Sequence, residues 1–299
     1  MRTIFCHHDA DGVISAYFTS FSVKDSVKIK ITREFGDTTG WQDNDIMTDM
    51  RPNNPAIDGI VIDHHPDHPE ERNYILFWDT VPASLIAFRQ FKDEIPKNEH
   101  WKLVIGLVGD GQPELTPPEI FRDNPILLKR VNTKIYQSYG KWSVNTIPIY
   151  KVLSSYVNAM LRLHKYDETL KLIRDAKSPT DIYMSEEAIK AKEELHFEFE
   201  SSLKNADILE FENLIVVSFI SDARLTGYIA SVLNSATGKT VLAVNQKTGK
   251  LSMRGDLAGY YRDILNIYPF FDLDGHAGYM GGKTTKLGKD FFNAISSIL

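Results

Sequence analysis

Short apolar runs that stop at acidic or imidazole residues punctuate the first part of the chain. TIF (Thr3–Phe5) reads as a strand, followed by the polar stretch HHDAD and then by VISAYFTSF, which predicts a helix beginning near Gly12. VKIKI (Val27–Ile31) predicts a second strand, DIMTDM (Asp45–Met50) a third that reaches Asp49, and GIVIDHH (Gly59–His65) a fourth that ends in an acid and two imidazoles. PASLIAFRQF has helical periodicity. KLVIGLVGD (Lys102–Asp110) is an apolar segment ending in aspartate and fits a helix or a strand. Strands alternating with helices predict an α/β domain over residues 1–125 with a doubly wound, mostly parallel sheet.

The pattern then turns helical. IYKVLSSYVNAMLRLHKY, ETLKLIRDA and SEEAIKAKEELHFEFESSLKNA, the last with a helix start at Ser185, predict a helical connector over 126–208. Strand signals return in NLIVVSFI and in TVLAVNQKTGKLSMRG, two strands joined at a Lys-Thr-Gly turn, with an ARLTGYIASVL helix between. The glycine-dense GHAGYMGGK precedes a final helix, DFFNAISSIL. Residues 209–299 are therefore expected to form a smaller α/β domain.

Composition narrows the partners. The chain has 299 residues, 42% of them apolar and 11% aromatic, enough for more than one core. A net charge of -6 excludes a global basic field, so cations that meet a nucleic acid must be local. Cys6 is the only cysteine, which rules out an internal disulfide. The first twenty residues lack a signal-peptide pattern, and no run approaches the roughly 18 apolar residues of a membrane helix. A soluble cytoplasmic protein without a membrane partner is the expectation.

In open parallel sheets ligands bind at the carboxyl ends of strands, where this chain concentrates its acids and imidazoles. His7, Asp9 and Asp11 are spaced i, i+2, i+4, so an extended backbone would turn them to one side. Alone, that trio fits equally a divalent-metal site and a polar turn with Asp11 capping the next helix. Asp49, Asp63-His64-His65 and Asp110 add the further carboxylates and imidazoles that two metals need. Mixed Asp and His ligands suit Mn, Fe or Zn better than Ca or Mg.

With these pieces in place the sequence resembles the DHH phosphoesterase superfamily, in its DHH/DHHA1 branch of RecJ-like and nanoRNase-like proteins. HHDADGVISA resembles the first motif, TDM the second, VIDHH the third and LVGDG the fourth; SMRG and DGHAGYMGG resemble the DHHA1 domain's arginine strand and its glycine and histidine signature. Asp274, Tyr279 and Met280 depart from that last motif, which bears on substrate preference more than on fold.

The resemblance implies that His7 and Asp9 hold one metal ion, that Asp11, His64 and Asp110 hold the other, and that Asp49 bridges them. His65 would lie beside the metals and contact phosphate. Asp63 would accept a ligand imidazole N–H. The implied catalyst is a pair of Mn2+ ions about 3.5 to 4 Å apart that share a hydroxide nucleophile, with Mg2+ or Co2+ as substitutes. Arg254, Gly275, His276, Gly281 and Gly282 would grip the substrate. The expected activity is hydrolysis of short single-stranded oligonucleotides to mononucleotides. A cyclic dinucleotide, a 3',5'-bisphosphate nucleotide or an inactive nucleotide-binding role are the alternatives.

Other signals carry less. ATGKT lacks the glycine a P-loop requires, because Leu233 stands there. His68 reads as a loop residue rather than a ligand, HFEFE reads as helix packing, and His8 has no assigned role.

Overall fold

β1 (Arg2–Cys6) pairs in parallel with β2 (Val27–Ile31) on one side and β3 (Asp45–Thr48) on the other; β4 (Gly59–Asp63) and β5 (Ile75–Trp78) extend the sheet, giving the order β2-β1-β3-β4-β5. The computed structural model describes residues 1–298 except 33, 67, 139, 140 and 277, and at positions 138 and 276 it describes the backbone alone. The chain divides into two units. Unit 1 is Met1–Val131 with Thr146–Lys192, and unit 2 is Asn132–Asn145 with Glu193–Leu299.

Strand alternation gives the unit 1 sheet two apolar faces. Ile4, Cys6, Ile46 and Ile62 face a core built by α1 (Ala10–Ser20), α2 (Ala83–Gln90), α3 (Leu103–Gly109) and helices further along the chain. Phe5, Met47 and Val61 face the other way and are covered by Met50, Ile57 and Tyr74. The strand order is that of a doubly wound sheet with its switch point between β1 and β3. LVIGLVG forms helix α3 rather than a strand, so Asp110 follows a helix. β5 has no counterpart among the sequence-predicted strands.

The 126–208 segment is not wholly helical. After α4 (Pro118–Asp123), β6 (Arg130–Ser138) and β7 (Lys141–Pro148) form a two-stranded sheet ahead of α5 (Ile149–Arg162), α6 (Tyr166–Asp175), α7 (Pro179–Tyr183) and α8 (Glu186–Lys204). Ile149, Leu153, Val157 and Leu161 of α5 and Ile173 of α6 join the unit 1 core. The Ser185 hydroxyl accepts from the Ala188 amide, as its helix-start position predicts.

Unit 1 also buries a charge cluster. The Tyr17 hydroxyl donates to Glu99 Oε2 at 2.9 Å, and Lys102 Nζ donates to the same Glu99 oxygen and to the Tyr17 hydroxyl. Asn98 donates to the other Glu99 oxygen. Burial, then Glu99, raises the Tyr17 phenol, and burial lowers Lys102 although Glu99 opposes it.

Unit 2 is built on a mixed sheet, β12-β13-β11-β10-β9-β8. Its strands are β8 (Asp207–Glu210), β9 (Leu214–Phe219), β10 (Thr240–Asn245), β11 (Lys250–Arg254), β12 (Phe271–His276) and β13 (Tyr279–Thr284). β9 and β10 run parallel and the other pairs antiparallel. α9 (Thr226–Thr237), α10 (Ala258–Leu265) and α11 (Gly288–Ile298) complete the unit, around a core that includes Val216, Leu242, Met253 and Phe291. The described residues of the glycine-dense stretch lie mostly in β12 and β13, which pair antiparallel. No helix among the described residues is long and apolar enough to cross a membrane.

Candidate metal centre

Parallel register lines up the ends of three strands. Cys6 pairs with Thr48 and Thr48 with Ile62, so His7, Asp49 and Asp63 follow one another across the carboxyl edge. The His7 amide donates to Thr48 O at 3.3 Å and the Asp49 amide to Ile62 O at 2.8 Å, continuing both ladders by one bond. His7 and Asp49 thus flank the switch point, where open α/β sheets bind ligands. Asp49 has φ 58°, a left-handed conformation that few residues other than glycine, asparagine and aspartate adopt readily.

The His7, Asp9, Asp11 trio does not lie along an extended backbone. Asp9 is the N-cap of α1, accepting from the Gly12 amide at 3.0 Å, and Asp11 lies in the first helical turn. There Asp11 accepts from the Ala83 and Ser84 amides at 2.8 and 3.1 Å, so it caps α2 and not its own helix. Gly12 permits the tight entry, since a Cβ there would lie 2.6 Å from His7 O.

Asp49 joins two groups of metal-type ligands. In one, His7 Nδ1 lies 2.7 Å from Asp9 Oδ2 and 3.3 Å from Asp49 Oδ2; in the other, His64 Nε2 lies 3.2 Å from Asp49 Oδ1 with His65 nearby. One donor atom from each residue of a group falls within 4.8 Å of the others. Asp11 and Asp110 belong to neither group, but Asp110 Oδ2 is 4.0 Å from His64 Nδ1. A close approach of α3 to α1 puts Asp110 there: a Cβ on Gly109 would lie 2.8 Å from that of Ala10.

The electrostatics are those of clustered carboxylates. Burial works against the His7 imidazolium, but Asp9 and Asp49 overcome it and push the pKa up to about 10. His64 reaches about 10 in the same way, against burial and through Asp49, Asp110 and Asp11. Burial raises Asp110 to about 6, with Asp49 and Asp9 adding to the shift and His64 opposing it. Asp11 is raised by burial, Asp49 and Asp110. Asp9 is held well below the usual range because His7 outweighs its burial.

These residues fit divalent cations. His7 Nδ1 and Asp49 Oδ2 are buried and have no partner at hydrogen-bonding angles, although they lie within ion-pair distance of each other. Buried polar atoms left this way call for another group, and imidazoles with carboxylates are the donor set of Mn or Zn.

Beside this cluster, Asp63 is fully buried and accepts from His65 Nδ1 at 2.7 Å and His68 Nε2 at 2.9 Å. Burial works against its ionised form, but these bonds hold the carboxyl well below its usual range. His68 is a loop residue, as expected, and its side chain is a buried partner of Asp63. The Phe35 ring meets His65 edge-on at 4.8 Å and His7 at 5.8 Å, a contact with no sequence signature. His8 Nδ1 lies 3.2 Å from Thr32 O, which ties it to the end of β2.

In unit 2, Arg254 ends β11 and donates through Nη1 to Met253 O and Met280 O, with its guanidinium 5.0 Å from the Tyr279 ring centre. It lines a pocket of about 180 Å³ with Ser231, Asn234, Gly255, Gly278 and Tyr279. Gly275, Gly281 and Gly282 are strand residues of the β12–β13 hairpin. Gly282 is needed for packing, since a Cβ would lie 1.9 Å from Asp272 O, whereas Gly281 faces open space. The side chain of His276 lies outside the described residues.

No protein-family model and no curated protein sequence matches the chain. Solved structures do. A RecJ from Thermus thermophilus in complex with Mn2+ is 16% identical with a TM-score of 0.67, covering 99% of this chain and 51% of that one, so the chain spans about half the length of that RecJ. A DHH domain is 12% identical with a TM-score of 0.62, over 99% of this chain and 85% of that one. A pGpG-specific phosphodiesterase from Vibrio cholerae is 12% identical with a TM-score of 0.55, over 100% and 97%. The site described above therefore stands on a fold shared with these RecJ, DHH-domain and pGpG phosphodiesterase structures.

Proposed function

We propose that this protein is a metal-dependent phosphodiesterase that releases mononucleotides from the end of short single-stranded oligonucleotides. The observation that carries the reading is Asp49, one buried carboxylate shared by two groups of metal-type ligands at the switch point of the sheet. His7 and Asp9 would hold one cation and His64 and Asp110 the other, with Asp49 common to both. Asp11 would serve the second with the lone pairs its two amide bonds leave. Mn2+ suits this donor set, and Mg2+ or Co2+ are substitutes. Such ions, when bound, activate water near neutral pH and neutralise charge on the phosphate.

The chain's own residues do the rest. Asp63 orients His65, whose outer ring nitrogen would meet a phosphate oxygen. Because the neighbouring carboxylates keep His7 and His64 protonated, cation binding must displace those protons, which makes affinity rise with pH. In unit 2 the Arg254 guanidinium and the Tyr279 ring offer a charged and a flat surface to a nucleotide. Arg254→Ala is expected to raise KM about tenfold with little change in kcat, the signature of lost uniform binding.

Substrate length is inferred from charge: a chain of net charge -6 is poorly suited to a long phosphate track. The test is hydrolysis with Mn2+ of labelled dinucleotides, longer single strands, cyclic dinucleotides and a 3',5'-bisphosphate nucleotide. Mononucleotide release from dinucleotides is expected. Turnover confined to the cyclic or bisphosphate ligands would replace this reading, and nucleotide binding without any turnover would end it.

A further inference from the structure

Both oxygens of Asp63 are taken by imidazoles, His65 Nδ1 on Oδ1 and His68 Nε2 on Oδ2. On the far side of the His68 ring, Nδ1 lies 2.9 Å from the Tyr74 hydroxyl. A carboxylate only accepts, so it fixes the direction of the two bonds it receives. The proton on His65 is at Nδ1 and that on His68 at Nε2. When the His68 ring carries that one proton, its Nδ1 lone pair accepts the Tyr74 O–H. Burial raises the Tyr74 phenol, which keeps it a donor.

The row is rooted in the core. His68 and Tyr74 are almost fully buried, and Tyr74 packs in the cluster that contains Phe5, Met47 and Val61. The loop that carries both imidazoles is fastened as well, with Trp78 Nε1 donating to His65 O at 2.8 Å and Arg51 to Pro66 O at 3.3 Å. Without the His68 N–H, Asp63 Oδ2 would be a buried acceptor with no donor, and the carboxylate would turn to share its one remaining imidazole. Neither His68 nor Tyr74 belongs to the ligand groups around Asp49.

We propose that His68 and Tyr74 are positioning residues for His65: they hold Asp63 Oδ2 so that Oδ1 fixes His65 as its Nδ1–H tautomer, with Nε2 turned outward to the phosphate. The inference rests on the reading of His65 as a phosphate contact. A histidine side chain free in water prefers the opposite, Nε2–H tautomer, so the effect of the row is measurable without substrate.

Ring 15N shifts of His65 in the metal-free protein report the tautomer, and steady-state hydrolysis of a labelled dinucleotide with Mn2+ reports turnover. The wild-type ring is expected as Nδ1–H. In His68→Leu it should move toward Nε2–H, with kcat down about 10- to 100-fold and KM little changed. His68→Gln, whose amide can donate to Asp63 and accept from Tyr74, should restore the tautomer and most of kcat. Tyr74→Phe should lower kcat about threefold, and it carries the test together with His68→Gln if the leucine variant does not fold. An unchanged His65 tautomer in folded His68→Leu or Tyr74→Phe overturns the proposal, as does a loss confined to Tm. If the wild-type protein hydrolyses nothing, the reading of the site fails, while the tautomer measurement still decides the positioning claim.

Discussion

Two buried charge clusters of unit 1, around Glu99 and around Asp49, differ in whether they close on themselves. Around Glu99, one carboxylate meets one ammonium, a phenol and an amide, and both of its oxygens are used. Around Asp49, the four carboxylates of Asp9, Asp11, Asp49 and Asp110 face the two imidazoles of His7 and His64, and buried atoms of His7 and Asp49 lack an aligned partner. The first arrangement is complete as folded and serves cohesion. The second holds like charges together by backbone register and helix caps, a conformation that only added positive charge relieves. Burial of ionisable groups does not by itself mark a functional site; an unbalanced sum does.

The largest expected break in this contrast is Asp49→Asn. Asparagine tolerates the left-handed backbone, so the fold should persist while kcat drops roughly ten-thousandfold, ~5.5 kcal/mol of barrier. Turnover near the wild-type level would remove Asp49 from the centre of the mechanism. Lys102→Met should do the reverse, leaving Glu99 buried without its counter-charge at a cost of about 3 kcal/mol in urea unfolding. The kcat per folded molecule should hold. Gly109→Ala tests how the two kinds of packing meet. Its methyl group would press on Ala10, costing about 1–2 kcal/mol and displacing Asp110, so stability and Mn2+ affinity are expected to fall together.

A further expected effect is in pH. His7 and His64 have folded values of about 10 against an ordinary 6.5, so in the metal-free protein their contribution to stability is complete below pH 6.5 and is lost as pH rises to 10. Asp110, raised from 3.8 to about 6, acts earlier: its penalty develops as pH climbs through that lower window. Thermal melts with chelator should therefore decline between pH 6.5 and 10, and less steeply in Asp49→Asn. Equal slopes in the two proteins would show that the imidazoles are not held by Asp49.

Much of this contrast is legible in the sequence. The strands ending near His7, Asp49 and Asp63 announce themselves because apolar runs stop abruptly at polar residues, and parallel pairing then forces those ends together. Asp110 is half legible: a seven-residue apolar helix has no period that separates it from a buried strand, and the glycines that dock it signal only once the neighbouring helix is known. The β6–β7 sheet is hidden among helical signals because its strands are mostly polar and carry few core residues. His68 is illegible for another reason. It lies between two prolines in a loop, and only the return of that loop over Asp63 buries it.

The register of β1, β3 and β4 also sets which changes of chain length the protein tolerates. His7, Asp49 and Asp63 stand in a row because each follows its neighbour's ladder without slippage, so deleting one residue inside β3 would turn the Asp49 side chain to the opposite face of the sheet. Residues 21–26, which join α1 to β2 at the far edge, can gain or lose length without moving any member of the row. Insertions and deletions among descendants of this chain should therefore collect at the amino edge of the sheet and spare the strands themselves.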